Sequence, residues 1–212
     1  MNCSQCQGIE TVFDRKTAAK KLDEYRRRGP DKTTRLLIDA LTTDGVEGMT
    51  LLDIGGGVGA VQNELLKAGV QSATGVEASS AYLATARAET ERQGHADRVT
   101  HRHGNFVDLA PDVPPADIVT LDRVICCYHD MQRLVDLSSA RAKRLYGAVY
   151  PRDTWWTRLG LALGNAFLRL GRNPFRTFVH PSQAVDAVIC GNGLKQRFYQ
   201  QTFIWQVVVY AR

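Results

Sequence analysis

The chain has 212 residues, 44% of them apolar and 23% charged, which suits one globular α/β domain with a full core. Its net charge of +5 and isoelectric point near 9.0 are only mildly basic; they admit an anionic substrate but are no nucleic-acid signature, so no nucleic-acid partner is expected. Met1 to Cys6 lacks a basic stretch followed by an apolar one, no run of about 18 uncharged apolar residues exists, and the odd cysteine count makes no disulfide framework, so the expectation is a cytoplasmic protein with no signal peptide and no transmembrane segment.

Residues 1–45 precede the first expected strand. Cys3-x-x-Cys6 has the spacing of half a zinc or redox site, with no second half beside it. It reads as two free thiols or as part of a metal site shared with Cys126, Cys127 or His129; no metal is expected. From Asp14 to Arg28 the pattern is helical, with Ala18, Leu22 and Tyr25 on one face and Arg and Lys on the other. Gly29-Pro30 ends it, and Asp31 can cap a second helix, Lys32 to Leu41. Tyr25 to Arg28 reads either as a solvated charge run or as the lining of a substrate entrance.

Met49 to Ile54 is expected to be a buried parallel strand, followed by Gly55, Gly56, Gly57 and Gly59 and a helix from Ala60 to Ala68. Glycines there let the backbone turn tightly and approach a ligand, with the free N–H groups of the helix start facing it. Two nucleotide cofactors fit. Gly55, Gly57 and Ala60 satisfy the dinucleotide pattern G-x-G-x-x-G/A, with Glu77 about twenty residues on as the ribose acid. The same loop resembles motif I of class I S-adenosylmethionine (SAM) methyltransferases, in which D/E-x-G-x-G-x-G follows the first strand: Asp53, Gly55, Gly57 and Gly59 here. A carboxylate at Asp53 favours the cationic methionine end of SAM, directly or through water, and repels a pyrophosphate.

Ala73 to Glu77 reads as the second strand, with Glu77 and Ala78 at its carboxyl end, where a doubly wound sheet opens its cofactor crevice. Glu77 can accept two hydrogen bonds from ribose hydroxyls. Ser79 or Ser80 caps a helix to about Gln93, and Val99 to His103 is a third strand. The following Gly104 to Leu109 resembles the methyltransferase segment that reads the adenine amino group, with Asn105 where many members carry Asp and Phe106 against the ring. Ala116 to Asp122 is the fourth strand. In the methyltransferase family the region just past it flanks the sulfonium, which implies that Asp122, Arg123, Cys126, Cys127, Tyr128 and His129 surround the reacting methyl. His129 is the general-base candidate, its ordinary pKa being suited to proton removal, and Tyr128 would orient the acceptor. No Asn/Asp-Pro-Pro-Tyr/Phe motif follows the strand, which argues against amino-methylation of nucleobases or glutamine.

Met131 to Leu145 is expected to be a crossover helix and Tyr146 to Pro151 the fifth strand. Within a lid-like insertion, residues 152–180, Trp155 to Gly171 places Arg158, Asn165, Arg169 and Arg172 on one stripe and Trp155, Trp156, Leu159, Leu163, Ala166, Phe167 and Leu170 on the rest. The plainest reading is a helix packed on the domain as a lid, with Trp155 and Trp156 toward substrate; a homodimer contact and interfacial membrane contact are the others. Pro181 to Cys190 is a further helix, and Leu194 to Arg212 reads as two strands joined around Gln200 to Phe203.

That ending decides between the cofactors. A dinucleotide dehydrogenase repeats its βαβ half and adds a catalytic domain, for which the chain is too short, whereas a terminal hairpin completes the seven-stranded sheet of the methyltransferases. The resemblance implies a doubly wound, mostly parallel Rossmann-like α/β sheet with an antiparallel C-terminal hairpin and N-terminal cap helices over residues 1–45. It further implies SAM as cofactor, S-adenosylhomocysteine as product, and a methyl group passed to a small-molecule acceptor. The Tyr25 to Thr33 arm, the insertion and Phe198-Tyr199 are loosely similar to the magnesium-protoporphyrin O-methyltransferases, which methylate a propionate on a flat apolar ring. An NAD-binding oxidoreductase and a non-catalytic SAM-binding module are the alternatives.

Overall fold

The computed structural model describes residues 4–212, with side chains from residue 8 onward. Cys3 and the Cys6 side chain lie outside the described residues, and with them the question of a site at that pair. Three helices come first: α1 (Ser4–Val12), α2 (Arg15–Arg28) and α3 (Lys32–Thr42). The alternating part follows as β1 (Thr50–Ile54), α4 (Ala60–Lys67), β2 (Ser72–Glu77), α5 (Ser80–Arg92), β3 (Val99–His103), α6 (Phe106–Leu109) and β4 (Ala116–Asp122). Then come α7 (Met131–Ser139), β5 (Ala142–Pro151), α8 (Trp155–Leu170), α9 (Ser182–Gly191), β6 (Lys195–Gln201) and β7 (Trp205–Ala211).

The seven strands form one sheet in the order β3-β2-β1-β4-β5-β7-β6. β1 to β5 run parallel, and β7 enters antiparallel to both β5 and β6. The doubly wound sheet with its terminal hairpin is therefore present. Successive residues of the central strands serve opposite cores, as helices on both faces require. Leu52, Val119, Tyr146, Ala148, Val208 and Tyr210 pack under α7 and α9. Leu51, Ile118, Leu145, Val149, Val207 and Val209 pack under α3 and α4. Gly147 lets α3 settle onto β5, since a Cβ there would stand 2.7 Å from Cδ1 of Leu37.

Two boundaries differ from the sequence reading. The helix expected to run to Leu145 stops at Ser139, and β5 takes up the chain from Ala142. The reason is Arg141, whose guanidinium caps the helix end at the Leu137 carbonyl (2.8 Å) and also reaches the carbonyls of Val113 and Ala110. Ala142 and Leu145 are buried in the sheet, a spacing that a helical pattern also accommodates. At the start of the chain α1 forms where no helix was expected, and Gly8 lies against the Phe175 backbone so closely that a Cβ would come within 2.3 Å of its nitrogen.

Leu37 is fully buried between α3 and the sheet. Truncating it, Leu37→Ala, is expected to lower the unfolding free energy by about 2–5 kcal/mol in urea titration, the range for a buried leucine whose site relaxes only in part.

Candidate functional site

The carboxyl ends of β1, β2 and β4 converge on one cavity of about 470 Å³, placed where the strand order reverses beside β1. Gly55, Gly56 and Gly57 form its floor. Gly55 and Gly57 have φ of +63° and +59°, and Gly59, at +83°, caps α4, so this turn demands the left-handed conformations that glycine adopts freely. Gly56 is needed for a different reason: a Cβ there would meet Oδ2 of Asp53 at 2.3 Å.

Asp53 is wholly buried behind that glycine and does not line the cavity. Its Oδ1 accepts a hydrogen bond from Thr120 Oγ1 at 2.8 Å, while Oδ2 has no partner. Burial, joined by the charges of Asp122 and Glu77 and opposed by Thr120, pushes its carboxyl up to about 7. Glu77 lines the cavity and ties the turn to β2: Oε2 accepts from the Gly57 N–H (3.0 Å) and Oε1 from the Ser79 N–H (2.8 Å). Burial raises its pKa too, against those backbone donors. Each of its oxygens keeps a lone pair for a ligand hydroxyl.

Asp122 and Arg123 line the wall at the end of β4, and α3 completes their hydrogen bonding. Arg123 Nη1 donates to Asp31 at 2.5 Å, Nη2 to Thr34 Oγ1 at 3.0 Å and Nε to Asp122 at 3.1 Å, while Thr34 Oγ1 donates to Asp122. Burial disfavours the ionised Asp122, which the Arg123 charge offsets only in part, so its pKa rises. Asp31 also keeps the role read from sequence, accepting from the N–H groups of Thr33 and Thr34 at the start of α3.

Ala78, Asn105 and Phe106 line the cavity as well. Asn105 caps α6 and donates to Asp108 and to the Tyr128 hydroxyl, each at 3.1 Å; Phe106 is buried with the Arg141 guanidinium 5.9 Å from its ring centre. Tyr25, Cys127 and Tyr128 are on the lining. Tyr25 donates to Glu64 at 2.6 Å, and burial raises its pKa above the ordinary phenol value.

Besides Asp53 and Gly59, which are also off the cavity lining, three residues expected at the site stand elsewhere. His129 is exposed, stacked on Tyr128 with ring centres 5.3 Å apart and off the cavity lining, because the chain turns outward there toward the start of α7. Trp155 is 72% exposed, and Trp156 packs against Phe203; neither lines the cavity. Other residues were missed. Phe13 stacks edge-on against Tyr82 (5.6 Å) and Phe175 (5.5 Å), and these three close the cavity together, with Asp31 and Thr34 in its wall. A short polar run after Gly29-Pro30 signalled a helix cap and nothing more; the three aromatics carry no pattern that links them.

Comparison with known proteins bears on this geometry. Residues 51–144, from β1 to β5, match the family described as a methyltransferase domain. None of the curated proteins matches the chain in sequence. Among solved structures, magnesium protoporphyrin IX methyltransferase (ChlM) from Synechocystis PCC 6803 with bound SAH superposes with a TM-score of 0.72 at 17% identity, over 95% of this chain and 99% of that one. The putative methyltransferase in complex with the Haloferax volcanii Trm112 activator gives 0.71 at 15% identity, covering 96% of each chain. An O-methyltransferase family protein from Burkholderia thailandensis gives 0.70 at 17% identity, over 96% of this chain and 62% of that one. The glycine turn, the acid that ends β2 and the end of β4 all fall inside the matched segment, so the site lies in a methyltransferase-like domain whose fold is the one these solved methyltransferases share.

Proposed function

We propose that this enzyme passes the methyl group of SAM to a small-molecule acceptor, flat or apolar, bound in the same cavity. The observation that carries the reading is the contrast between the two walls. One is a glycine turn with Asp53, Glu77, Asp122 and Asp31 around it and Arg123 among them, the other lining cation, Lys21, being paired with Glu24 at 3.0 Å; the other is the aromatic cluster of Phe13, Tyr82 and Phe175. The net negative field suits a ligand carrying a sulfonium and an ammonium, and it opposes a pyrophosphate, which disfavours NAD. Orphaned Oδ2 of Asp53 and the Gly56 backbone laid over it fit that cationic end.

In this reading the turn from Gly55 to Gly57 holds the methionine portion, with Asp53 acting through its field from behind the backbone. Glu77 accepts from the ribose hydroxyls, Ala78, Asn105 and Phe106 enclose the adenine, and Asp122 and Arg123 border the reacting end. When bound, SAM supplies an electrophilic methyl for in-line displacement. The protein contributes position and exclusion of water. It offers no base from His129, and Tyr82, pushed up to about 12 by burial and by the Glu77 and Asp14 charges, stays protonated at neutral pH. A carboxylate, a thiolate or a free nitrogen lone pair, nucleophilic on arrival, therefore fits this cavity better than an acceptor that must be deprotonated there.

Titration calorimetry is expected to give heat with S-adenosylhomocysteine and none with NADH. Glu77→Gln, which keeps the shape but loses the charge-assisted hydrogen bonds, is expected to weaken that binding at least about tenfold. Transfer of a labelled methyl from SAM to apolar carboxylates, tested against the same panel of phenols, measures the acceptor preference, and binding without any transfer would favour a non-catalytic module.

Asp53 makes a pH signature. Its folded-state pKa is raised from 3.8 to about 7, so the folded state holds the proton more tightly than the unfolded chain does. The associated stability is complete below the unfolded value and is lost as pH rises through the folded one. Stability of the parent relative to Asp53→Asn is thus expected to fall from about pH 4 to about pH 7 and to level off above, read by urea unfolding at a series of pH values.

A further inference from the structure

Helix α8 turns its apolar face outward. Trp155, Leu159, Leu163, Phe167 and Leu170 recur at intervals of three and four, so they share one side of the helix. Each is between 54% and 81% exposed. The opposite side holds the helix to the protein: Thr157 is buried, and Asn165 Nδ2 donates to the Thr177 carbonyl (2.7 Å) while its Oδ1 accepts from the Thr177 N–H (2.9 Å). That reciprocal pair fixes the rotation of the helix, so the exposure of the apolar stripe is built in. The helix packs on the domain, but with its apolar stripe outward; of the polar stripe only Asn165 turns inward, because it finds two backbone partners there, while Arg158, Arg169 and Arg172 are exposed.

The patch continues beyond the helix. Phe203 of the β6–β7 turn is 74% exposed and stacks on Trp156 with ring centres 6.0 Å apart, and Ile204 beside it is exposed. The surrounding charge is predominantly basic, with Asp153 paired to Arg158 at 2.6 Å at the start of the helix. Between Asp153 and Asp186 the chain carries Arg158, Arg169, Arg172 and Arg176 and no carboxylate, and from Ala187 to Arg212 there is no carboxylate at all. Arg158 and Arg169 are exposed along one edge of the apolar stripe.

An exposed apolar stripe with a basic edge and tryptophans at one end matches the chemistry of an anionic lipid surface. A second copy of the chain fits less well, because a two-fold contact through this face would bring its basic edges together. Spanning is excluded, since the helix has 16 residues and among the described residues no helix is long and apolar enough to cross a membrane. We propose that α8 and the β6–β7 turn seat this protein on an anionic membrane surface, with Trp155, Leu159, Leu163, Phe167 and Leu170 in the boundary between headgroups and acyl chains and Arg158 and Arg169 against lipid phosphates. The proposal does not depend on the methyl donor or acceptor.

Sedimentation with vesicles tests it. Vesicles of phosphatidylcholine with about 30% phosphatidylglycerol are expected to take up at least about ten times more protein than phosphatidylcholine alone, with the excess lost in high salt. Leu163→Ser with Phe167→Ser is expected to reduce uptake by the anionic vesicles at least about tenfold, and Arg158→Gln with Arg169→Gln to abolish the preference for them. These side chains are exposed, so both double variants are expected to keep the parent's circular dichroism and its response to S-adenosylhomocysteine, a readout that fails separately if the methyl-donor assignment is wrong. Equal uptake by both vesicle types, or undiminished uptake of the Leu163/Phe167 variant, overturns the proposal. So does a dimer in analytical ultracentrifugation that the same variant dissociates, which would assign the face to a second copy.

Discussion

A carboxylate sealed away from water with one oxygen unpaired sets the terms for this site. Asp53 has a single donor, Thr120, and its other oxygen occupies the space into which a Cβ at position 56 would project. Residue 56 is therefore glycine for room, while 55, 57 and 59 are glycine for backbone angle. Bringing Glu77 to the same turn adds a second buried acid, held through the Gly57 and Ser79 N–H groups. Two carboxylates this close to one crevice destabilise each other when both are ionised. A proton relieves that cost, and so does a cationic ligand; the turn is a negative socket whose own folding energetics favour filling it.

Arg123 plays the complementary part at the other end of the crevice. It has φ of +62°, a conformation that non-glycine residues seldom adopt, yet its N–H still closes the β4–β5 pairing at the Val149 carbonyl (2.8 Å). Such backbone persists where the surroundings over-determine it. Here they do, through Asp122, Thr34 and Asp31. The left-handed turn swings the side chain back across the strand end onto the start of α3. Segments well ahead of β1 thereby become part of the cavity wall, and the first helices are inseparable from the site chemistry.

How much of this was legible in the sequence follows from the range of each interaction. The parallel strands could be read because burial on both faces writes them as apolar runs, and the glycine turn because its backbone angles admit little else. Glu77 was legible because the geometry of a βαβ unit fixes its distance from the turn. Asp31, Thr34, Phe13 and Phe175 were not, since their partners lie in distant parts of the chain and nothing local marks an aromatic as a wall of someone else's cavity. His129 was misplaced for the converse reason: its residue type suited the chemistry, but only the path of the backbone past Cys127 decides which way it points. Helix α8 shows a related limit. Periodicity divides a helix into two faces and leaves open which one the protein keeps for itself; two hydrogen bonds from Asn165 decided that against the apolar side.

The same Asn165 bonds connect the two ends of the molecule's chemistry. Thr177, their partner, lines the cavity, and the segment around it is stitched to the opposite wall as well. The Phe178 N–H donates to the Cys126 carbonyl at 2.8 Å, and the His180 Nε2 sits 3.0 Å from the carbonyl of Tyr128. Phe175, two residues earlier, meets Phe13 over the aromatic wall. The strip from 175 to 180 is thus fastened to α8 on one side and to the loop after β4 on the other, with the cavity between its contacts. The exposed helix and the cavity wall are joined directly through the paired Asn165–Thr177 hydrogen bonds.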